Sequence, residues 1–163
     1  NHFNKRGALI DAKESDDVNP ERASAGTQFC FVQGKVLSDT ELNEKEARIN
    51  QIRRNWLYYK YLDQLKKEDP ALAADSMETE LTNRALIMVE DTLAELGPYV
   101  IPAEYREVYK TVGGVPHLDN SVTVFGEVVD GFDIVEKMSL VKTDKNDRPV
   151  HDVMIKSTKV FQK

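Results

Sequence analysis

Four groups of side chains in this sequence could do chemistry, and each points to a different reaction. Cys30 is the sole cysteine. It could act as a reactive thiol or pack as a small hydrophobe, and packing is the commoner use. A single cysteine excludes an internal disulfide and leaves the redox compartment open. His117, followed by Leu118 and Asp119, has the residue type of a general base. Arg53, Arg54, Lys60, Lys66 and Lys67 form the densest basic cluster. They could meet phosphates, but they stand among acids in a helical pattern, so a solvated helix face is the preferred reading. Trp56 and Tyr59 share that pattern; aromatics at helical spacing could build a ligand box and more often fill a core.

The bulk numbers narrow these options. The chain has 163 residues, 40% hydrophobic and 31% charged, with a formal net charge of −6. That length supports one domain with a real core and a small inserted subdomain. The acidic balance argues against nucleic-acid binding, which needs a concentrated basic face. No stretch approaches the roughly 18 apolar residues of a membrane helix. The first residue is Asn1 rather than methionine, so the chain is expected to be a piece of a longer product. No leader is visible, and the compartment stays open between cytoplasm and a bacterial periplasm or cell envelope.

Three regions must position the candidate residues. Gly7–Ala12 and Thr27–Val32 have strand composition, separated by a polar loop from Lys13 to Gly26 with Asn19-Pro20 in it. From Ser38 to about Thr111 the apolar period becomes helical. Ser38-Asp-Thr-Glu41 is a capping box, and Ile49, Ile52, Trp56, Tyr59 and Leu62 follow three or four apart until Pro70. Leu81, Ala85, Met88, Val89 and Leu93 make a second face ending at Gly97-Pro98, and a third helix starts with Pro102 in its first turn and stops at Gly113-Gly114. Ser121–Val129 returns to β-branched residues, Asp130-Gly131 is a turn, Phe132–Met138 a brief helix, and Val153–Val160 is expected as a closing strand.

Two separated segments carry a family resemblance. Lys5-Arg-Gly-Ala-Leu-Ile-Asp-Ala-Lys13 with Asn19-Pro-Glu-Arg-Ala-Ser-Ala-Gly-Thr-Gln-Phe-Cys-Phe31 is similar to the cyclophilin pattern G-x-L-x-M-A-[NR], loop, N-S-x-[GA]-S-Q-F-F-I. Gly114-Val-Pro-His-Leu-Asp-Asn-Ser-Val-Thr-Val-Phe-Gly-Glu-Val-Val-Asp-Gly-Phe-Asp-Ile-Val135 resembles the family's W/H-L-D-G-x-x-x-V-F-G-x-V-x-x-G-x-D-V-V. Thr143–Pro149 and Asp152–Ile155 match the tail leading to the last strand. Both segments occur in the family's order and cover roughly half of the chain. The resemblance implies an α+β fold: a partial cyclophilin-like antiparallel β-barrel with an inserted helical subdomain. Residues 1–35 and 114–163 would be its two barrel segments, and 36–113 the insertion, at a position where related bacterial proteins accept extra helices. Closure entropy grows slowly with loop length, so a long excursion is tolerated.

The implied activity is peptidyl-prolyl cis/trans isomerisation, which needs no nucleophile, metal or cofactor. The amide barrier is about 18–20 kcal/mol. A catalyst lowers it by holding proline in an apolar pocket and stabilising the twisted amide electrostatically. The family's arginine for that task lies in an upstream F-H-R…F-M-x-Q-G-G-D segment. No such segment occurs here, and Arg6 precedes the first strand, where the family has no catalytic residue. Groove positions do match. Ala12 and Lys13 correspond to the pair whose backbone meets the bound peptide, and Gln28 to the glutamine beside the arginine, against a plainer reading as a strand glutamine satisfied by nearby backbone. Cys30 falls where a phenylalanine usually lines the pocket. His117 takes the Trp-or-His rim position, where packing is expected because this reaction abstracts no proton. Leu118 is the pocket leucine, and Val122 replaces a histidine or tyrosine. Losing aromatic walls at Cys30 and Val122 implies weak proline affinity. Asn120 replaces the loop glycine and tolerates left-handed backbone.

About four strands and one helix of the family's eight-stranded barrel are accounted for. Half a barrel leaves unpaired edges and an open apolar interior. The missing half is therefore expected from another polypeptide, a bound proteolytic fragment or a swapped copy, with a proline-containing peptide or protein as substrate. A peptide-binding module without turnover is the alternative, and a helical interaction protein using the barrel as scaffold is a third reading.

Overall fold

The computed structural model describes residues 2–161, which divide into two compact units with the boundary between Glu127 and Val128. The first unit contains an antiparallel sheet of three short strands, β1 (Ala8–Asp11), β2 (Phe29–Phe31) and β3 (Val124–Glu127), in the order β2-β1-β3. Leu9 stands opposite Phe31 on one side and Gly126 on the other, so segments far apart in sequence flank one strand. A register shift after Leu9 puts Val124 opposite Ile10. Residue alternation then divides the faces. Ala8, Ile10 and Val32 are buried against Val115, Leu118, Val122 and Val124. The opposite face carries Phe29 and Phe125, 52% and 58% exposed.

Between β2 and β3 the chain is helical. α1 (Asp39–Glu68) begins at the expected capping box: Ser38 Oγ accepts from Glu41 N–H at 3.2 Å while Glu41 Oε2 accepts from Ser38 N–H at 2.9 Å. Lys35 first, then the Ser38 donors, hold the Glu41 carboxyl down to about 2. α1 ends before Pro70, with Asp69 capping the next turn. α2 (Glu78–Leu96) buries Leu81, Ala85 and Val89 and stops at Gly97, whose φ of 67° suits glycine. α3 (Ala103–Thr111) starts one residue later than the composition implies, with Pro102 as its N-cap. Two apolar clusters join these helices. Leu37, Leu42, Ile49, Ile101 and Tyr109 form one, Leu65, Leu72, Leu81 and Ala85 the other. Polar residues of α1 also hold the extended segment after α2. Asn50 donates to the Tyr99 carbonyl at 3.0 Å and accepts its N–H at 2.8 Å, and Glu46 accepts from Ile101 N–H at 2.8 Å.

The chain leaves and re-enters the sheet region at one point. Gly114 bridges both Lys5 and Lys35. A Cβ on Gly114 would lie 2.4 Å from the Asn4 carbonyl oxygen and 2.5 Å from the Tyr109 ring, and one on Gly34 2.4 Å from Gly114 itself. The Gly113-Gly114 pair read from sequence as a helix stop therefore also lets backbone cross backbone.

The second unit holds α4 (Phe132–Ser139), preceded by Gly131 at φ 78°. A turn follows, closed by a bridge between Thr143 and Pro149, with Asp144 Oδ1 accepting from Asn146 and Arg148 N–H groups. Two expectations are corrected here. Val153–Val160 forms no strand, and every side chain from 151 to 161 is exposed. The partial barrel of about four staves is instead an open three-stranded sheet in the described residues. The physical reason is the same for both: alternation prepares a face, but a strand is ordered only by a neighbour that satisfies its backbone.

Candidate functional site

The residues singled out from the sequence are spread over several places. Leu118 and Val122 share the apolar cluster beneath β1, packed with Ile10. Cys30 stands opposite Ile10 in the β1–β2 register but is exposed at the sheet edge, which corrects its expected burial as a pocket wall. β2 is an edge strand with β1 on one side only, and Cys30 is exposed on it. Ala12 and Gln28 lie beyond the β1–β2 ladder and are joined by a bond from Ala12 N–H to the Gln28 carbonyl at 3.3 Å. The Ala12 carbonyl accepts from Ala25 N–H at 2.8 Å, so both Ala12 backbone groups already have partners within the chain. The Gln28 residue is exposed. Lys13 is turned into the loop, its Nζ 2.8 Å from Asp16 Oδ1. His117 precedes Leu118 on the single turn Pro116–Leu118, half-buried with its Nδ1 shut away from any partner among the described residues. Burial first, then Arg48 and Lys45 of α1, lower its pKa. The lowered pKa favours the neutral imidazole.

A buried polar cluster next to these positions was not foreseen. Asp119 is 5% exposed. Its Oδ1 accepts from Asn4 N–H at 3.1 Å, Asn4 Nδ2 at 2.8 Å and the Tyr109 hydroxyl at 2.9 Å, which is also 2.8 Å from Oδ2. Burial raises the Asp119 pKa against the pull of those donors, and burial with the Asp119 charge raises that of Tyr109. The cluster ties the chain start, α3 and the loop after Pro116 together. The aspartate lay within the quoted His-Leu-Asp motif; Asn4 and Tyr109 carried no signal of the pairing.

On the far side of the same loop lies a crevice of about 460 Å³ between α1, residues 96–100 and residues 119–121. Trp56 forms part of its wall and belongs to none of the three buried clusters, which departs from the core reading of that residue. Its indole N–H donates to the Pro20 carbonyl at 2.8 Å. The Arg22 guanidinium lies 4.3 Å from its ring centroid and Lys60 Nζ 5.1 Å. Arg22 is held by Asp16 at 3.1 and 2.9 Å and donates to the Asn120 carbonyl at 2.8 Å. Both Arg22 and Asn120 adopt left-handed backbone, with φ 55° and 62°.

The model of the cyclophilin type peptidyl-prolyl cis-trans isomerase family matches residues 107–160. The chain carries a cyclophilin-type segment. That segment includes the Pro116–Leu118 turn, Asp119, Val122 and all of β3. The chain is similar to a peptidyl-prolyl cis-trans isomerase of Arabidopsis thaliana, 45% identical over 64 residues, 39% of this chain and 10% of that protein. A second isomerase of the same plant is 35% identical over 70 residues, 43% of this chain and 41% of the relative. A putative peptidyl-prolyl cis-trans isomerase of Staphylococcus saprophyticus is 33% identical over 73 residues, 45% and 37% of the two chains. The chain thus spans between a tenth and about two fifths of the length of these curated relatives. No solved structure gives a significant match. Among the described residues no helix is long and apolar enough to cross a membrane.

Proposed function

We propose that the protein to which this chain belongs isomerises X-Pro bonds in peptides or proteins, and that this chain supplies the non-catalytic side of the groove. The reading is carried by one observation. β1 is paired on one side with the Gln28-bearing segment and on the other with the cyclophilin-type segment, over a cluster holding Leu118 and Val122. Residues 1–35 and 114–163 would be the two barrel segments and 36–113 a helical insertion. Ala12, Lys13, Gln28, Cys30, His117, Leu118 and Val122 would border the groove, with Leu118 and Val122 contacting the proline ring. The catalytic arginine and the remaining staves come from the rest of the barrel, on another polypeptide, a bound fragment or a swapped copy. The exposed Phe29 and Phe125 face supports that arrangement, because it is an apolar surface left more than half exposed. A coupled proline-peptide assay tests it: turnover by the whole protein, lost when its arginine is substituted, and none by this chain alone. Turnover that survives loss of the arginine would reject the assignment.

A second reading, peptide holding without turnover, is favoured by the exposed Cys30 and by Val122, which leave the groove without two aromatic walls. Proline-peptide binding by the whole protein with no rate enhancement would select it.

A further inference from the structure

We infer that the crevice beside Trp56 is a subsite for a polypeptide segment bearing an apolar or aromatic side chain next to a carboxylate. This deepens the peptide-binding reading above and rests on it: α1, an element outside the cyclophilin-type match, meets the matched loop there and would extend the groove. Shape and polarity set the first half of the specificity. Ile52, Trp56, Pro98 and Val100 line a recess of about 460 Å³, enough for one large apolar side chain and its neighbour.

Charge sets the second half. The chain is acidic as a whole, at −6, yet this recess is bordered by cations. Arg22 is already engaged, its guanidinium bonded to Asp16 and to the Asn120 carbonyl and stacked on Trp56. Asp16 also serves Lys13, so one carboxylate answers two cations. Arg53 differs. It lines the recess and donates Nη1 to the Gly97 carbonyl at 2.9 Å, and among the described residues it has no carboxylate partner. A guanidinium with donors to spare suits a carboxylate better than any other common peptide group. The one acid in the wall, Asp119, turns both oxygens to Asn4 and Tyr109. The recess is thus apolar with one unanswered positive charge. Two left-handed non-glycine residues joined by a hydrogen bond, Arg22 and Asn120, fix its mouth.

Trp56 is the only tryptophan in the chain, so its emission reports this recess alone. The probe is the proline-free peptide acetyl-Ala-Phe-Glu-Ala-amide, compared with its Gln analogue and with an analogue carrying Ala for Phe. The acidic aromatic peptide is expected to shift Trp56 emission and bind at least tenfold more tightly than either analogue, with affinity falling as salt rises. Arg53→Gln should remove the preference for Glu over Gln, and Arg53→Lys should keep part of it. Circular dichroism identifies a variant that has unfolded, in which case the salt dependence of the wild-type chain decides. Equal binding of the three peptides, no response of Trp56, or salt-independent affinity overturns the inference. Because the probe has no proline, these outcomes are independent of the turnover assay, and either reading can fail alone.

Discussion

The helices and the sheet of the first unit sit on either side of the Gly34–Gly114 crossing, and they are built to different degrees of completeness. Between α1 and α2 the interior is closed: Ala85 and Val89 are fully buried, and α1 begins in a reciprocal cap. In the sheet, one face is equally well covered, but the other shows Phe29 and Phe125 more than half exposed, in edge-on contact with ring centroids 6.4 Å apart. β2 and β3 each have one neighbour. The helices bury apolar faces against one another; the sheet leaves one of its faces to solvent. Exposed aromatics of this size on the two strands that flank β1 form an apolar surface of the kind another element would cover.

The comparison can be broken at the crossing. Gly114→Ala puts a Cβ 2.4 Å from a backbone oxygen at φ 157°. We expect loss of more than about 4 kcal/mol, enough to leave no cooperative urea transition. Asp119→Ala is expected to cost about 2–3 kcal/mol, because Tyr109 and Asn4 lose their acceptor inside the protein. The same residue predicts a pH dependence. Burial raises its pKa in the folded chain, so the native state holds this proton more tightly than the unfolded chain does. The contribution is fully present below the ordinary carboxyl value of about 3.9 and is lost as pH rises through the raised value. Asp119→Asn should flatten that part of the stability–pH curve, and an unchanged curve would remove Asp119 as its source.

Smaller effects sharpen the contrast. Ser38→Ala should cost about 1 kcal/mol by removing one half of the α1 cap, seen as a lower urea midpoint at constant slope. A double change of Phe29 and Phe125 to Ser should lower the stability of the chain alone only modestly, by about 1 kcal/mol, because more than half of each ring is exposed and chiefly their mutual edge-on contact is lost. It should nevertheless abolish association with the rest of the barrel. A large loss of stability in the isolated chain would mean that the aromatic face is covered by the chain itself.

The helices were legible because their signals are local. A capping box, a 3.6-residue apolar period and Gly97-Pro98 or Pro70 stops act within one turn, and the observed bounds follow them closely. Three of the four expected strands were legible as to presence but not length. Thr27–Val32 contracts to Phe29–Phe31 and Ser121–Val129 to Val124–Glu127, since a strand extends only as far as β1 offers backbone to pair with. Val153–Val160 has the same composition and no such partner, and it forms no strand. Leu118 and Val122 were singled out through motif positions, and the structure packs both against the Ala8, Ile10 and Val32 cluster. The Asp119–Asn4–Tyr109 cluster was not singled out, because Asn4 lies 115 residues from Asp119 and nothing in either neighbourhood announces the other. Trp56 shows the limit of periodicity: spacing identifies a helix face, but only the arrival of Pro20, Arg22 and the 119–121 loop decides that the face borders a recess rather than a core.

Sedimentation equilibrium of the folded chain tests the half-built sheet most directly. The account predicts a mass above the 18.5 kDa of one chain, reached by self-association or by binding the remaining barrel segment when that segment is added. A lone 18.5 kDa species, with the β1, β2 and β3 amides protected from exchange and no response to the added segment, would contradict it.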